Sequence, residues 1–228
     1  MRTEKDRSHT LGGLRVLAAL AAAVLLSSCS SPFGEYGSGA GHFDTVVVDA
    51  GHGAHDRGAK AVSGSPEKVV ALDTARRLAK ILRSKGFHVI ETRTSDYFVP
   101  LGGRVAVSNR ARSAIFVSVH YNWARRSGAR GLEVYYYTPR SYRLAANIKQ
   151  QILKAYPTED RGVKRNNYYV LRNNRRPAVL CELGFLSNPH DNRYAQNATY
   201  RQRLAERIAA GIKIGRASCR ERVEISVV

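Results

Sequence analysis

Three apolar stretches of this chain each run into a side chain able to hold a metal or move a proton. They are Val46-Val47-Val48-Asp49-Ala50-Gly51-His52, Ile115-Phe116-Val117-Ser118-Val119-His120 and Ala178-Val179-Leu180-Cys181-Glu182. In open α/β sheets, sites gather at the carboxyl ends of strands. One histidine after a strand is more often a hydrogen-bonded edge residue than a ligand, and one glutamate there readily pairs with an arginine. Three such endings in one chain shift the balance towards a site. Gly51 and Gly53 flank His52, and backbone without side chains turns sharply and admits a metal or substrate closely. Glu67 lies in the first turn of the clearest helix, where the helix dipole alone favours an acid. It is also the carboxylate best placed to complete two imidazoles and a carboxylate, a common catalytic zinc set that leaves a fourth position for water.

Holding those residues together takes strands and helices in alternation. Residues 45–48, 87–92, 114–120, 132–136 and 178–183 read as strands, with segments of helical period between them. Such alternation implies an α/β fold, here a single-domain mixed β-sheet flanked by helices on both faces. The clearest helix is expected over Pro66–Lys85, with Val69, Leu72, Ala75, Leu78, Ala79 and Leu82 on one face. Ser65 can cap it, Pro66 suits the first turn and Gly86 can stop it. Leu101–Ala111 reads as a further helix, and two more carry Leu144, Ile148 and Ile152, and Leu204, Ile208 and Ile212. Tyr135–Tyr137 reads as strand packing on its neighbours. His55 and Asp56 lie near enough to the glycine loop to touch a substrate, whereas His42, His88 and His190 read as bystanders, the last two as solvated.

The ends of the chain are of another kind. Arg2, Lys5, Arg7 and Arg15 precede an apolar run from Val16 to Leu26, then Ser27, Ser28 and Cys29. That is the order of a signal peptide, and 11 apolar residues fall short of the roughly 20 that span a bilayer. Leu26-Ser27-Ser28-Cys29 resembles the lipobox of bacterial lipoproteins, which implies lipidation of Cys29 and a membrane anchor. Ser30 in place of Asp leans towards the outer membrane in a diderm cell. Residues 29–41 are rich in glycine and serine and read as a flexible tether, which leaves 42–213 as the folded domain. The net charge is +19, with +2 before Cys29 and +1 in 214–228. So basic a domain favours polyanions. For an exported chain these are anionic envelope polymers and not nucleic acid.

Six motifs, in order, resemble those of zinc-dependent N-acetylmuramoyl-L-alanine amidases. They are Asp49-Ala50-Gly51-His52-Gly53, Glu67-Lys68 opening a helix, Thr92-Arg93, Ser118-Val119-His120-Tyr121-Asn122, Arg161-Gly162-Val163-Lys164, and Glu182-Leu183-Gly184-Phe185-Leu186-Ser187-Asn188. The resemblance spans about residues 44–212. It implies that His52, Glu67 and His120 bind Zn2+ and that Glu182 is a catalytic carboxylate but not a ligand. The implied substrate is peptidoglycan, cut at the amide between the lactyl group of N-acetylmuramic acid and L-alanine. Ala54, Tyr121, Trp123 and Arg176 depart from the usual pattern and bear on substrate contacts more than on metal. The same ligand set serves a zinc peptidase or carboxypeptidase acting on wall peptides. Charge and tether alone would suit a non-catalytic wall-binding module, which has no need of the four residues together. Some division amidases of this kind insert a long lid-bearing segment where this chain has only Thr138–Ser141, which implies activity without an activator. Residues 214–228 are expected to be a non-native tail, because Ile214–Val223 resembles the conceptual translation of a short-read sequencing adapter.

Overall fold

The computed structural model of the chain describes residues 42–225, with side chains in the last helix described up to Arg216. The expected signal peptide, Cys29 and the tether lie outside the described residues. Six strands form one sheet in the order β2-β1-β3-β6-β4-β5. They are β1 (Thr45–Ala50), β2 (His88–Glu91), β3 (Ala114–Asn122), β4 (Leu132–Tyr136), β5 (Asp160–Arg165) and β6 (Ala178–Phe185). β1, β2, β3 and β6 run parallel, β4 is antiparallel to β6, and β5 follows β4. The sheet is therefore mixed, as expected. β1 runs two residues further than expected, to Ala50, so Asp49 lies within it, while β3 and β6 hold His120 and Glu182 within strands, as expected. β5 was not anticipated: Asp-Arg-Gly-Val-Lys-Arg has almost no apolar alternation, and it forms by adding to the edge of β4.

Side chains alternate across a sheet with period two, and this sorts the residues onto two faces. Val46, Val48, Ile115, Val117, Val119, Cys181 and Leu183 point into the larger core. That core is closed by α1 (Glu67–Ser84), α3 (Tyr142–Ile152) and α6 (Ala198–Ile225). Val47, Phe116, Ala178 and Leu180 point the other way, into a smaller core. It is covered by α2 (Leu101–Arg110) and the single turn α4 (Tyr169–Arg172), while α5 (Pro189–Gln196) leads into α6. Because α2 and α4 are short, they leave the carboxyl ends of β1, β3 and β6 open on that face.

α1 differs in phase from the sequence expectation. Val70, Ala71, Thr74, Ala75, Leu78, Ala79 and Leu82 are buried, whereas Val69 is 43% exposed. Two polar residues turn the helix. Glu67 points to the strand ends, and Thr74 Oγ1 shares a hydrogen bond of 2.9 Å with the buried Tyr121 hydroxyl. Leu78 and Leu82 are fully buried, which stabilises the packing by about 1.5–3 kcal/mol each. Ser65 does not cap the helix. Pro66 takes the cap position with no side-chain bond, and the Ser65 N–H is held instead by Gln196 Oε1 at 3.0 Å. Gly86, at φ +76°, does stop it.

α6 also continues past the expected end of its apolar face. Leu204, Ile208 and Ile212 are fully buried, yet the helical backbone runs on to Ile225. The Arg216 guanidinium lies over the Phe87 ring, 4.0 Å from its centre. The first residues beyond Lys213 thus pack against the domain. No helix among the described residues is long and apolar enough to cross a membrane.

Candidate active site at the carboxyl ends of the parallel strands

The alternation that buries Val47, Phe116 and Leu180 puts Asp49, Ser118, His120 and Glu182 on the same, thinly covered face. Strand register aligns them: Asp49 lies beside Ser118, and His120 beside Glu182. At the ends of these strands lies a cleft of about 600 Å³. His52, Glu67, His120 and Glu182 line it, and Phe98, Leu101, Trp123, Tyr168 and Tyr169 form an exposed aromatic and apolar rim.

His52, Glu67 and His120 meet there, with one donor atom from each lying within 4.8 Å of the others. Glu67 Oε2 is 3.0 Å from His52 Nε2, and Glu67 Oε1 is 2.9 Å from His120 Nδ1. Backbone N–H groups of Ala59 and Tyr121 donate to the same carboxylate at 2.7 and 2.9 Å. Burial opposes the charge on Glu67, but the hydrogen bonds and charge of the two imidazoles hold it well below the usual carboxylate range. Burial likewise works against a protonated His52, and Glu67 and Asp56 more than offset it, so its pKa is raised. Gly51 and Gly58 make the closeness possible. A Cβ on Gly51 would lie 2.3 Å from His120 Cε1, and one on Gly58 would lie 2.5 Å from Glu67 Oε2.

His52 itself sits at φ +63°, a left-handed conformation that costs a non-glycine residue about 1–2 kcal/mol. Two buried arginines hold the loop in it. Arg93 donates to Ala50 O at 3.0 Å and Gly51 O at 2.6 Å. Arg104 donates to Ala50 O at 2.5 Å and His52 O at 2.7 Å. Arg104 also pairs with Asp49 at 2.7 Å, and Asp49 accepts from Thr92 and Ser118, both at 2.6 Å. The loop carbonyls are thereby fixed to the strand beneath them.

Glu182 stands on the other wall. Its Oε2 is buried and has no hydrogen-bond partner among the described residues. Burial first, then the negative charges of Glu67 and Glu133, raise its pKa well above the usual carboxylate value. Glu133 is its antiparallel register partner. Asn122 and Tyr135 donate to Glu133 at 2.7 and 2.9 Å, and Arg161 and Lys164 form ion pairs with it.

Sequence reasoning nominated His52, Glu67, His120 and Glu182, and the fold brings all four to one cleft. It missed Arg104, Glu133 and the part taken by Asp56, whose Oδ2 lies 2.9 Å from His52 Nδ1. The spacing of His52 and Asp56, four residues apart across two glycine-bounded turns, was the available signal. His55 does not line the cleft and instead packs on Phe98 at 4.4 Å between ring centres. His42 and His88 are exposed. His190 departs from the solvated reading, because the rings of Tyr156 and Tyr194 cover part of it. Cys181 is buried and unbridged.

The family model described as N-acetylmuramoyl-L-alanine amidase matches residues 46–214. A probable cell wall amidase, LytH of Staphylococcus epidermidis, is 37% identical over 171 residues, 74% of this chain but 57% of that protein. The uncharacterised YqiI of Bacillus subtilis is 36% identical over 172 residues, covering 74% of this chain and 82% of its own length. Among solved structures, the catalytic domain of the amidase CwlV from Bacillus (Paenibacillus) polymyxa superposes with a TM-score of 0.72 at 35% identity, covering 75% of this chain and 96% of that one. The amidase AmiC2 of Nostoc punctiforme gives 0.71 at 39% identity, with 77% and 97% covered. With the fold, the cleft and a match over most of its length in agreement, this chain belongs to the N-acetylmuramoyl-L-alanine amidase family.

Proposed function

We propose that the protein is a zinc-dependent hydrolase of peptidoglycan that cleaves the amide between the lactyl group of N-acetylmuramic acid and L-alanine. The observation that carries this reading is the pairing, in one cleft, of the His52–Glu67–His120 cluster with the buried, unpartnered carboxyl oxygen of Glu182. Two imidazoles and a carboxylate fit zinc, a borderline-soft ion that takes nitrogen and oxygen donors and keeps an open position in catalytic sites. His52, Glu67 and His120 would hold it. The chemistry a zinc ion supplies when bound is Lewis acidity and a water acidified from about 15.7 towards about 7.

The rest falls to the chain's own residues. Asp56 fixes the orientation and tautomer of His52 by holding Nδ1, so that Nε2 faces Glu67. Glu182 takes a proton from the attacking water and delivers it to the departing nitrogen, because an amide nitrogen leaves poorly until protonated. Its raised pKa suits a group that must hold the proton between those two transfers. Trp123, Phe98, Tyr168 and Tyr169 offer exposed faces on which the substrate can lie.

The same reading places the enzyme at the cell envelope, exported through residues 1–28 and anchored by lipid on Cys29. Mass spectrometry of peptidoglycan digested with residues 42–228, with and without chelator, tests it. The expected products carry a free lactyl carboxyl group on the sugar and a new L-alanine amino terminus, and chelator abolishes both. Cleavage inside the stem peptide would show a wall peptidase, and undiminished cleavage in chelator would remove zinc from the reading.

A further inference from the structure

The end of the sheet opposite the cleft carries charge that the proposed reaction does not use. Arg110 closes α2, Arg112 precedes β3 and Arg175 precedes β6. Arg140 and Arg143 begin the path into α3, because β4 runs the other way and ends here. All five are exposed, and none joins an ion pair among the described residues. Backbone contacts tie the patch together. Arg140 Nη2 donates to Arg175 O at 2.7 Å, and the Arg175 N–H donates to Asn109 Oδ1 at 2.7 Å. In the loops 42–44, 85–87, 111–113, 137–141 and 173–177 that close this end, the one acidic residue is Asp44, whose Oδ1 accepts from the Thr45 hydroxyl at 3.1 Å.

The chain also enters the domain here. The N–H groups of Asp44 and Thr45 both donate to Ser113 O at 3.1 Å, beside Arg112. Residues 29–41, 13 in number, reach at most about 45 Å when extended. A chain anchored at Cys29 thus keeps this end close to the bilayer. Guanidinium groups match phosphate oxygens in pairs, and the attraction of an anionic leaflet acts within about a Debye length.

We propose that this arginine-bearing end docks on anionic phospholipid headgroups and so turns the cleft away from the bilayer. The proposal rests on the anchoring of Cys29, and its test is independent of that anchor. Residues 30–228 lack the leader and the lipidation site but keep the whole domain, whose counterpart in CwlV is solved as a catalytic domain by itself. Co-sedimentation with phosphatidylglycerol-containing vesicles should show binding that is lost in high salt or on pure phosphatidylcholine. Each arginine contributes about fivefold in affinity near such a surface, so Arg110→Ser/Arg112→Ser/Arg175→Ser should weaken binding about a hundredfold. The corresponding triple lysine variant should retain most of it, and hydrolysis of a soluble muramyl peptide should be unchanged in both. Lys80→Ser/Arg203→Ser/Arg207→Ser removes the same charge from another exposed face and should leave vesicle binding nearly intact. Equal losses in the two serine triples would overturn the proposal by showing that net charge alone is at work. A patch variant that keeps vesicle binding but loses anionic wall polymer would also overturn it, in favour of the polymer. Metabolic acyl labelling of the full chain tests the anchor separately.

Discussion

Replacing Arg104 by Met should expose how much of the site is held by charge beneath the His52 loop. The Arg104 and Asp49 side chains are 3% and 1% exposed and 2.7 Å apart, so the change leaves a buried carboxylate without its cation. Removing one partner of such a pair costs about 3–5 kcal/mol. The Thr92 and Ser118 hydroxyls still donate to Asp49, which places the loss near the lower limit, about 3 kcal/mol. For a domain of this size that corresponds to a fall in Tm of about 6–12 °C. The same change frees His52 O and takes one of two arginines from Ala50 O, so the strained loop relaxes and zinc affinity should fall about 10–100-fold, as for other groups that orient a ligand. Chemical denaturation with zinc titration measures both effects. Asp49→Asn combined with Arg104→Met should be at least about 1 kcal/mol more stable than the two single losses predict by addition. A single-variant loss below about 1 kcal/mol, or strict additivity in the double variant, would refute this account of the loop.

Gly51→Ala should fold but bind zinc more than tenfold more weakly, because its Cβ would fall 2.3–2.7 Å from three atoms of the His120 ring; a competition titration with a zinc dye reads this. His52→Ala or His120→Ala should lose both metal and hydrolysis, whereas Glu182→Gln should keep zinc and lose nearly all turnover, and metal analysis beside a sacculus assay separates the two. Asp73 is held below its ordinary pKa: burial pushes it up, and Arg77 and Arg201 more than reverse that. Its contribution is therefore complete above about pH 4 and is lost as the pH falls through the native value, so acid unfolding curves of wild type and Asp73→Asn should converge there. The connection from β4 to α3 is a short turn over Pro139–Ser141, and the purified domain should reach its full rate on sacculi without a partner; a zinc-loaded domain that stays inert until one is added would contradict this.

What could be read from the chain alone followed from periodicity. Strands β1, β3 and β6 announced themselves as apolar runs, and their polar endings pointed to His52, His120 and Glu182 before any geometry was known. Periodicity misled where a polar residue belongs inside. Counting only apolar residues put Val69 on the buried face of α1, whereas Glu67 and Thr74 set the phase through the site and Tyr121. β5 is held by its neighbour and has no pattern of its own. α5 is poor in apolar residues, although Asn188 before Pro189 was a readable cap: its side chain accepts from His190 and Asp191 N–H groups. Arg104 and Glu133 were illegible for another reason. A charged residue in a short helix or a strand ordinarily faces water, and only contacts over 55 positions to Asp49, or across a register to Glu182, show these two turned inward.

The reversed direction of β4 has a consequence for how such a site can diversify. Strands β1, β3 and β6 deliver their chemistry at their ends, but Glu133 stands at the beginning of β4, and Arg161 stands at the beginning of β5. Trp123, on the segment 123–131 that leads into β4, lines the cleft, and Glu133 with Arg161 backs the Glu182 strand from the reverse direction, while the two histidines sit on the parallel half and Glu67 on α1. Insertions or substitutions in that leading segment can reshape what the cleft accepts without altering the register of His120 or Glu182. The Trp123 side of the rim is therefore free to vary apart from the strands that carry His120 and Glu182, whereas the Phe98 side is tied to the parallel half.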